Sequence, residues 1–294
     1  MTARLATHPD IAGRTAHVLE RLHHAGVDVD FVGELDPSAP LAGLREHQID
    51  LALVGVSAMR GNVSDEFTTV AVLPRMETRD VVVALQGRAM PLARLPEGAT
   101  VGYTGARRGA FLAAHRPDLQ RLDMSAAEVR AVADRARAGG MNDSDSAGLV
   151  ASDPDVLIMS ALDAREAGLL DTAVEALDPK AWLPEPGQGA LALMARHPIA
   201  EATALDHLPT RTALRTELAL LDAIEQYGTE TLGCLAQPSG RWIRLWAAAA
   251  SPAGDRLVRS DLTGPLDEPE SLGASVASEL VARGYRLLAG VEGA

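Results

Sequence analysis

Apolar positions in the first third of the chain follow two periods. A nearly continuous apolar run over residues 49–56 is typical of a strand buried on both faces. Shorter runs predict further strands over residues 4–7, 27–35, 68–74 and 80–86. Apolar residues at helical spacing predict a helix after Asp10, its capping residue, and another over residues 37–48. Strands that alternate with helices predict an α/β fold with a parallel or mixed sheet.

The middle of the chain repeats this pattern. Strands are predicted over residues 100–103 and 155–159, and helices over residues 107–115, 126–138 and 161–168. A crossing rich in proline and glycine follows at residues 184–189, which suits a hinge. The apolar run over residues 190–194 is predicted to return to the first sheet, which makes a bilobed layout with two crossovers. Ligands of such folds lie at the carboxyl ends of the strands.

The last part of the chain predicts a smaller α+β unit. A helix is predicted over residues 214–226 and a second over residues 270–283. Between them, strands over residues 241–248 and 256–262 are joined by a Ser-Pro-Ala-Gly-Asp hairpin turn. A few strands with helices on one side form this unit.

Residues 101–108 (VGYTGARR) are the main candidate for ligand binding. A strand runs into a turn of small residues and then into Arg107 and Arg108 at a helix start, where backbone N–H groups and guanidinium groups favour an anion. One of the two arginines is alternatively a solvated helix-start residue. Thr104 either donates its hydroxyl to the same anion or caps the helix. Gln188 either contacts ligand or lies between two hinge glycines without a ligand role.

Composition and motifs argue against several classes of function. A formal net charge of −13 argues against general nucleic-acid binding. No apolar run is long enough to span a bilayer, and the N-terminus lacks the apolar core of a signal peptide, so a cytoplasmic protein is expected. No metal-ligand spacing and no nucleotide-binding glycine motif stands out, so neither a metal nor a nucleotide is predicted. Cys234 is the single cysteine and by itself is most simply a buried apolar residue.

The order of several motifs resembles one known family over nearly the whole chain. Asp50-Leu-Ala-Leu is similar to its D-I-A-V strand, and Arg79-Asp80 to an R-D pair that opens its second domain. Residues 95–119 follow L-P-x-G-x-x-V-G-T-S-S-x-R-R…R-P-D-L without a gap, and residues 184–190 resemble P-x-x-G-Q-G-A. Gly233-Cys234 resembles the G-C pair that carries the family's cofactor. The sequence thus resembles the porphobilinogen deaminase family, also called hydroxymethylbilane synthases.

The resemblance implies a three-domain fold. Two lobes like those of a periplasmic binding protein, joined by a hinge, are expected over residues 1–76 with 190–211 and over residues 77–189. A small C-terminal α+β domain, residues 212–294, is expected to carry Cys234 on a loop.

The resemblance also implies a chemistry. The family's cysteine forms a thioether to a dipyrromethane cofactor, and four porphobilinogens are then deaminated and joined head to tail. Arginines hold the acetate and propionate groups of these carboxylated pyrroles. The substrate-binding residues expected here are Thr104, Arg107, Arg108, Arg130 and Gln188, and Cys234 is the expected attachment point of the cofactor.

The chain departs from the family at the position of the catalytic aspartate. Ala58 stands where the family has this aspartate, so no catalytic residue is assigned, although Asp50, Asp65 or Glu66 is an alternative acid. The family's lysine-bearing loop is absent from residues 35–48, and residues 226–232 insert extra length before Cys234, which predicts a longer attachment loop.

These departures leave open what the chain does. A divergent enzyme that acts on a carboxylated pyrrole is the first hypothesis. The alternative is a non-catalytic homologue that binds an anion or a partner protein, and a periplasmic-type substrate-binding protein is a weaker third.

Overall fold

The computed structural model describes residues 2–7, 12–34, 39–55, 66–85, 89–138 and 153–288. Contacts between Cα atoms divide the chain into two compact units. Unit 1 comprises Met1–Met76 and Gly187–Arg215, and unit 2 comprises Glu77–Pro186 and Thr216–Ala294. The predicted division into three domains, with a boundary near residue 212, stays a prediction.

The helices and strands of the described residues are numbered in chain order. The strands are β1 (Ala3–Thr7), β2 (Val29–Glu34), β3 (Leu51–Gly55), β4 (Thr68–Val72), β5 (Asp80–Ala84), β6 (Thr100–Tyr103), β7 (Gln120–Asp123), β8 (Val156–Ser160), β9 (Ala173–Ala176), β10 (Leu191–Ala195), β11 (Leu232–Ser239), β12 (Trp242–Ala250) and β13 (Leu257–Pro265). The helices are α1 (Ala12–His24), α2 (Ala39–Arg45), α3 (Ala106–His115), α4 (Ala126–Ala138), α5 (Ala161–Glu166), α6 (Ala200–Thr203), α7 (Leu208–Ile224) and α8 (Pro269–Ala282).

Unit 1 is built on a mixed sheet with the strand order β2-β1-β3-β10-β4. Strand β1 pairs in parallel with β2 and β3, whereas β10 runs antiparallel to β3 and β4. Strands β3 and β10 are almost wholly buried, as continuous apolar runs require. The prediction that the run near residue 190 returns to the first sheet is therefore confirmed.

The first sheet of unit 2 has the equivalent order, β7-β6-β8-β5-β9. Strand β6 pairs in parallel with β7 and β8, and β5 runs antiparallel to β8 and β9. In each sheet the antiparallel strand next to the edge is the first strand after the chain enters that unit: β5 follows the entry into unit 2, and β10 follows the return to unit 1. This repeated order confirms the predicted α/β class with two lobes of the periplasmic-binding-protein type.

The C-terminal part of unit 2 adds an antiparallel sheet in the order β11-β12-β13. Helix α8 packs on β12 and β13, and α3 packs on β12. Phe111 of α3 and Val101 of β6 share one core with Leu235 and Ala248 of the antiparallel sheet. The predicted α+β element is present, and its core is continuous with that of the preceding lobe. Helix α3, which carries the arginine pair, is thus held between two sheets.

Candidate anion-binding site

The start of α3 is shaped by small residues. Gly105 precedes the helix with a φ of 86°, a left-handed value that glycine adopts without a steric penalty. Gly109, one turn later, lies against Tyr103, because a Cβ there would be 2.6 Å from the ring atom Cε2 of Tyr103. The last residue of β6 and the first turn of α3 therefore pack directly on one another. This packing determines where Arg107 and Arg108 leave the backbone.

Arg107 and Arg108 both bind the carboxylate of Asp80, the first residue of β5. Arg107 Nη2 donates to Asp80 Oδ2 at 2.7 Å. Arg108 donates from Nε to Oδ2 at 3.1 Å and from Nη2 to Oδ1 at 3.0 Å, which is the paired arrangement of an arginine fork on a carboxylate. The exposed fraction of the side chain is 6% for Arg107, 10% for Arg108 and 0% for Asp80. The two arginines thus meet at one buried anion.

The charges of this cluster are strongly coupled. Burial by itself raises the pKa of Asp80, but the charges of Arg107 and Arg108 and their hydrogen bonds outweigh it and hold this pKa well below its usual range. Burial lowers the pKa of Arg107, Asp80 opposes this, and the charge of Arg108 adds to the lowering. Burial also lowers the pKa of Arg108, but the charge and hydrogen bonds of Asp80 together with the charges of Asp163 and Glu185 outweigh it, so this pKa is raised. Asp80 therefore stays an anion.

Two neighbouring groups complete the cluster. Trp182 Nε1 donates to Asp80 Oδ2 at 3.0 Å, and its ring packs edge-on against Phe111 of α3. Arg108 Nη1 donates to the backbone oxygen of Thr104 at 3.1 Å and to its Oγ1 at 2.9 Å. The Thr104 hydroxyl oxygen therefore accepts from an arginine. The N-cap residue of α3 is Gly105, and no side chain makes a capping hydrogen bond there. The alternative that Thr104 caps the helix is therefore wrong.

The segment of Leu183 and Pro184 connects the arginine cluster to the strand that carries Cys234. Arg107 Nη1 donates to Leu183 O at 2.7 Å. Gly233 lies so close to the same oxygen that a Cβ there would be 2.6 Å from it. Cys234 N in turn donates to Pro184 O at 2.9 Å. The structure thus brings Arg107 and the predicted attachment cysteine into contact with the same short segment.

Cys234 lies inside β11 and not on a loop. Its residue exposure is 0%, and it pairs with Ala247 of β12. The expectation of a long attachment loop is wrong, because residues 225–227 form a 3₁₀ turn and Leu232 already begins the strand. The alanine-rich β12 supplies the hydrogen-bonding partner that turns this segment into a strand.

The arginine cluster fits a dipyrromethane cofactor, whereas the surroundings of the Cys234 thiol do not. The arginine cluster suits the acidic side chains of such a group, because guanidinium forks bind carboxylates. The thiol does not fit covalent attachment in this conformation, because it is fully buried and Gly233 beside it has no room for even a methyl group against Leu183. Attachment at Cys234 requires β11 or the Leu183–Pro184 segment to move.

The other two predicted binding residues, Arg130 and Gln188, are on other segments of the chain. Arg130 is exposed in α4. Gln188 belongs to unit 1, where its backbone oxygen accepts from Arg75 Nε at 3.0 Å, and the glycines on either side have φ of 76° and 79°. These left-handed values explain both glycines of the crossing. Ala58 and the predicted cap Asp10 lie outside the described residues.

The alternative acids differ in their surroundings. Asp50 accepts from Arg4 Nε at 3.1 Å, and this hydrogen bond, against the opposing effect of burial, lowers the pKa of Asp50. Glu66 is exposed and accepts from Arg45 Nε at 2.9 Å. Asp65 lies outside the described residues. A carboxyl group with a lowered pKa is a poor proton donor at neutral pH, so Asp50 is ill suited to replace a catalytic acid.

Sequence reasoning found the arginines but not the groups that bind them. In the sequence Asp80 stands out only as part of the Arg79-Asp80 motif, and no pattern marks Trp182. One signal for Asp80 was available, because an aspartate that opens a run of Val-Val-Val is a buried charge that needs a partner. Nothing in the pattern pointed to Trp182.

The described residues add two further observations on function. Within them, no group of three or more His, Cys, Asp or Glu side chains is placed to hold a metal ion. In the same ranges, no helix is long and apolar enough to cross a membrane.

The fold and the site define an α/β protein of two lobes with a buried arginine cluster at the start of a helix. A family model described as porphobilinogen deaminase, dipyrromethane cofactor binding domain, matches residues 16–204. The porphobilinogen deaminase of Roseiflexus castenholzii is 30% identical over 293 residues, which cover 98% of this chain and 88% of the relative. That of Stenotrophomonas maltophilia is 30% identical over 310 residues, covering 96% and 97% of the two chains.

Solved structures with lower identity also match. A periplasmic substrate-binding protein of an ABC transporter from Coxiella burnetii is 14% identical, with a TM-score of 0.43 over 69% of this chain and 90% of that one. The methionine-binding protein MetQ is 11% identical, with a TM-score of 0.44 over 69% and 88%.

The chain belongs to the porphobilinogen deaminase family. This is a family of transferases of tetrapyrrole biosynthesis, and dipyrromethane is its cofactor. The family predicted from the order of the motifs is therefore confirmed. The attachment of the cofactor to Cys234 and the roles of the individual site residues stay predictions.

Proposed function

We propose that this protein is a divergent transferase of the porphobilinogen deaminase type, which binds a carboxylated pyrrole at Arg107 and Arg108 and carries out deamination and condensation with reduced activity. The observation that carries the proposal is the arginine pair held together at the start of α3 by Asp80. Each guanidinium group has a planar fork of donors that matches a carboxylate.

The site residues divide between ligand binding and support. Arg108 is the more exposed of the pair, and the Thr104 hydroxyl next to it is half-buried, so these two groups are the proposed first contacts of the ligand carboxylate. Asp80 is not a proton donor, because two guanidinium groups keep it ionised. It therefore cannot replace the aspartate whose position Ala58 occupies.

The proposal of reduced activity rests on Ala58, which stands at the position of the family's catalytic aspartate. An alanine has no proton to transfer and no charge to stabilise a pyrrolic cation. General acid–base help is worth about a hundred- to ten-thousandfold in rate, so a loss of this size is expected relative to an enzyme with the aspartate. The same residue favours the second candidate function, a non-catalytic homologue that binds an anionic ligand or a partner protein.

Incubation of the purified chain with porphobilinogen distinguishes the two functions. We expect slow ammonia release, with the Ala58→Asp variant at least tenfold faster, because the variant restores a carboxyl group. Stabilisation by porphobilinogen without ammonia release from either protein would support the non-catalytic homologue. The absence of both binding and release would refute the proposed ligand class.

Intact mass spectrometry of the same preparation tests the cofactor separately. A covalent adduct of dipyrromethane size that is absent from a Cys234→Ser variant would support attachment at this cysteine. An unmodified chain that still releases ammonia would show that the reaction does not need attachment at Cys234.

A further inference from the structure

The carboxylate of Asp80 is held by donors on both of its oxygens. Oδ2 accepts from Arg107, from Arg108 and from Trp182 Nε1 at 2.7, 3.1 and 3.0 Å, and Oδ1 accepts from Arg108 Nη2 at 3.0 Å. These donors come from two parts of the chain, helix α3 and Trp182, and together they hold both oxygens of the carboxylate in one orientation. A carboxylate so fixed can in turn fix the groups that bind it.

Each guanidinium plane is determined by two partners. Arg108 binds Asp80 with its Nε and Nη2 edge and Thr104 with Nη1. Arg107 binds Asp80 with Nη2 and Leu183 O with Nη1. A guanidinium group is planar and rigid, so two hydrogen bonds in different directions set its orientation. Groups oriented before a ligand arrives lose less conformational entropy on binding.

The electrostatics make Asp80 necessary for this arrangement. Arg107 and Arg108 are like charges on adjacent residues, and the carboxylate of Asp80 lies within hydrogen-bonding distance of both. The charge of Glu185, which is exposed, also acts on both arginines, and the charge of the half-buried Asp163 acts on Arg108. Without the charge of Asp80 the two guanidinium groups would repel one another in a poorly solvated place.

Stability alone is a weak reason for such a cluster. A buried ion pair often contributes no more to stability than well-packed apolar residues of the same volume, because desolvation of the charges offsets their attraction. The contacts of this cluster instead fix two guanidinium groups in one defined orientation.

We propose that Asp80 is the positioning residue of the anion site: it orients Arg107 and Arg108 so that both can bind one carboxylate of the ligand. This inference rests on the proposed function, because the ligand is the carboxylated pyrrole. Trp182 supports the orientation through its Nε1 donor.

Titration of porphobilinogen against three variants tests the proposal. Asp80→Asn removes the charge and is expected to weaken binding about tenfold to hundredfold, the range of a lost charge-assisted hydrogen bond. Asp80→Glu restores the charge and should recover part of the affinity. Trp182→Phe keeps an aromatic ring against Phe111 but removes the Nε1 donor, and a severalfold loss is expected.

Asp118→Asn is the matched control. Asp118 pairs with Arg116 in the same unit, at 2.6 Å, but outside the cluster. The same substitution there should leave the affinity for porphobilinogen unchanged. If Asp80→Asn binds porphobilinogen as tightly as the wild type while its melting temperature falls, Asp80 is structural only and the proposal is wrong.

A second measurement separates this proposal from the proposed function. In ¹⁵N-labelled protein without ligand, the Nε–H signal of Arg108 should exchange slowly with solvent, because Nε donates to Asp80, and it should exchange at least tenfold faster in Asp80→Asn. If the wild type does not bind porphobilinogen, the proposed function fails, but this exchange still tests the orientation of the arginine. Equal exchange in both proteins would overturn the positioning role.

Discussion

Replacement of Gly233 by alanine perturbs the contact through which Leu183 connects the arginine cluster to β11, the strand that carries Cys234. The added Cβ would lie 2.6 Å from Leu183 O and 2.9 Å from Leu183 Cβ. An ordinary carbon–oxygen contact in a sheet is about 3.3 Å or longer, so the two backbones must separate by about 0.7 Å. Leu183 O is also the acceptor of Arg107 Nη1, so its displacement weakens that hydrogen bond.

The expected magnitude follows from this overlap. Inserting an extra methyl group into a packed interior costs about 1–3 kcal/mol in the free energy of unfolding. Loss of glycine flexibility in the unfolded chain returns about 0.4–1 kcal/mol at most. A net destabilisation of about 1–2 kcal/mol is expected, which corresponds to a fall in melting temperature of about 2–8 °C for a protein of this size.

Urea unfolding followed by circular dichroism measures this effect, and Gly264→Ala is the control. Gly264 lies in the same sheet, on β13, and a Cβ there would meet Leu272 Cβ at an ordinary 3.4 Å. The control should be as stable as the wild type or slightly more stable. If Gly233→Ala is as stable as Gly264→Ala, then β11 does not press against Leu183 as the structure has it, and the inferred connection to Arg107 is refuted.

Two further predictions concern pH and thiol chemistry. The hydrogen bond from Arg79, against the opposing effect of burial, lowers the pKa of Glu77 from 4.5 to about 2, so this pair stabilises the fold above pH 4.5 and the contribution is lost as the pH falls towards 2. The free energy of unfolding should therefore fall more steeply between pH 5 and pH 3 in the wild type than in Arg79→Met, and equal slopes would contradict the pairing. In a protein preparation whose mass shows no adduct, the Cys234 thiol is fully buried. It should therefore be unreactive towards a thiol reagent in the native protein and react fully in denaturant. Rapid labelling of the native protein would show that β11 opens readily.

The sequence predicted those elements whose burial shows in their own composition. Strands β3, β8 and β10 are continuous apolar runs because the surrounding chain covers both faces. Strands β7 and β9 were not predicted. They lie at the two edges of their sheet and have four residues each; β7 is mostly exposed and β9 mostly half-buried. Neither shows the continuous apolar run of a strand buried on both faces, and their partner strands determine the conformation.

The candidate site shows the same division. Arg107 and Arg108 were predicted because a strand, a small turn and two adjacent arginines form a local pattern. Asp80 and Trp182 are far from them in sequence, and no periodicity connects positions that only the packing of β5 and α3 brings together. The burial of Cys234 agrees with the simplest expectation for a single cysteine, but its place in a strand was not decided by its own segment, because β12 supplies the pairing that makes β11 a strand.

By itself the sequence determined the α/β class, the returning strand β10 and the family, and it marked the arginine pair as a candidate site, because each shows in a local period or in an ordered series of motifs. Only the tertiary structure decided what those arginines bind and where Cys234 lies. The physical reason is that a buried charge or thiol takes its properties from the groups packed around it, and these come from distant parts of the chain.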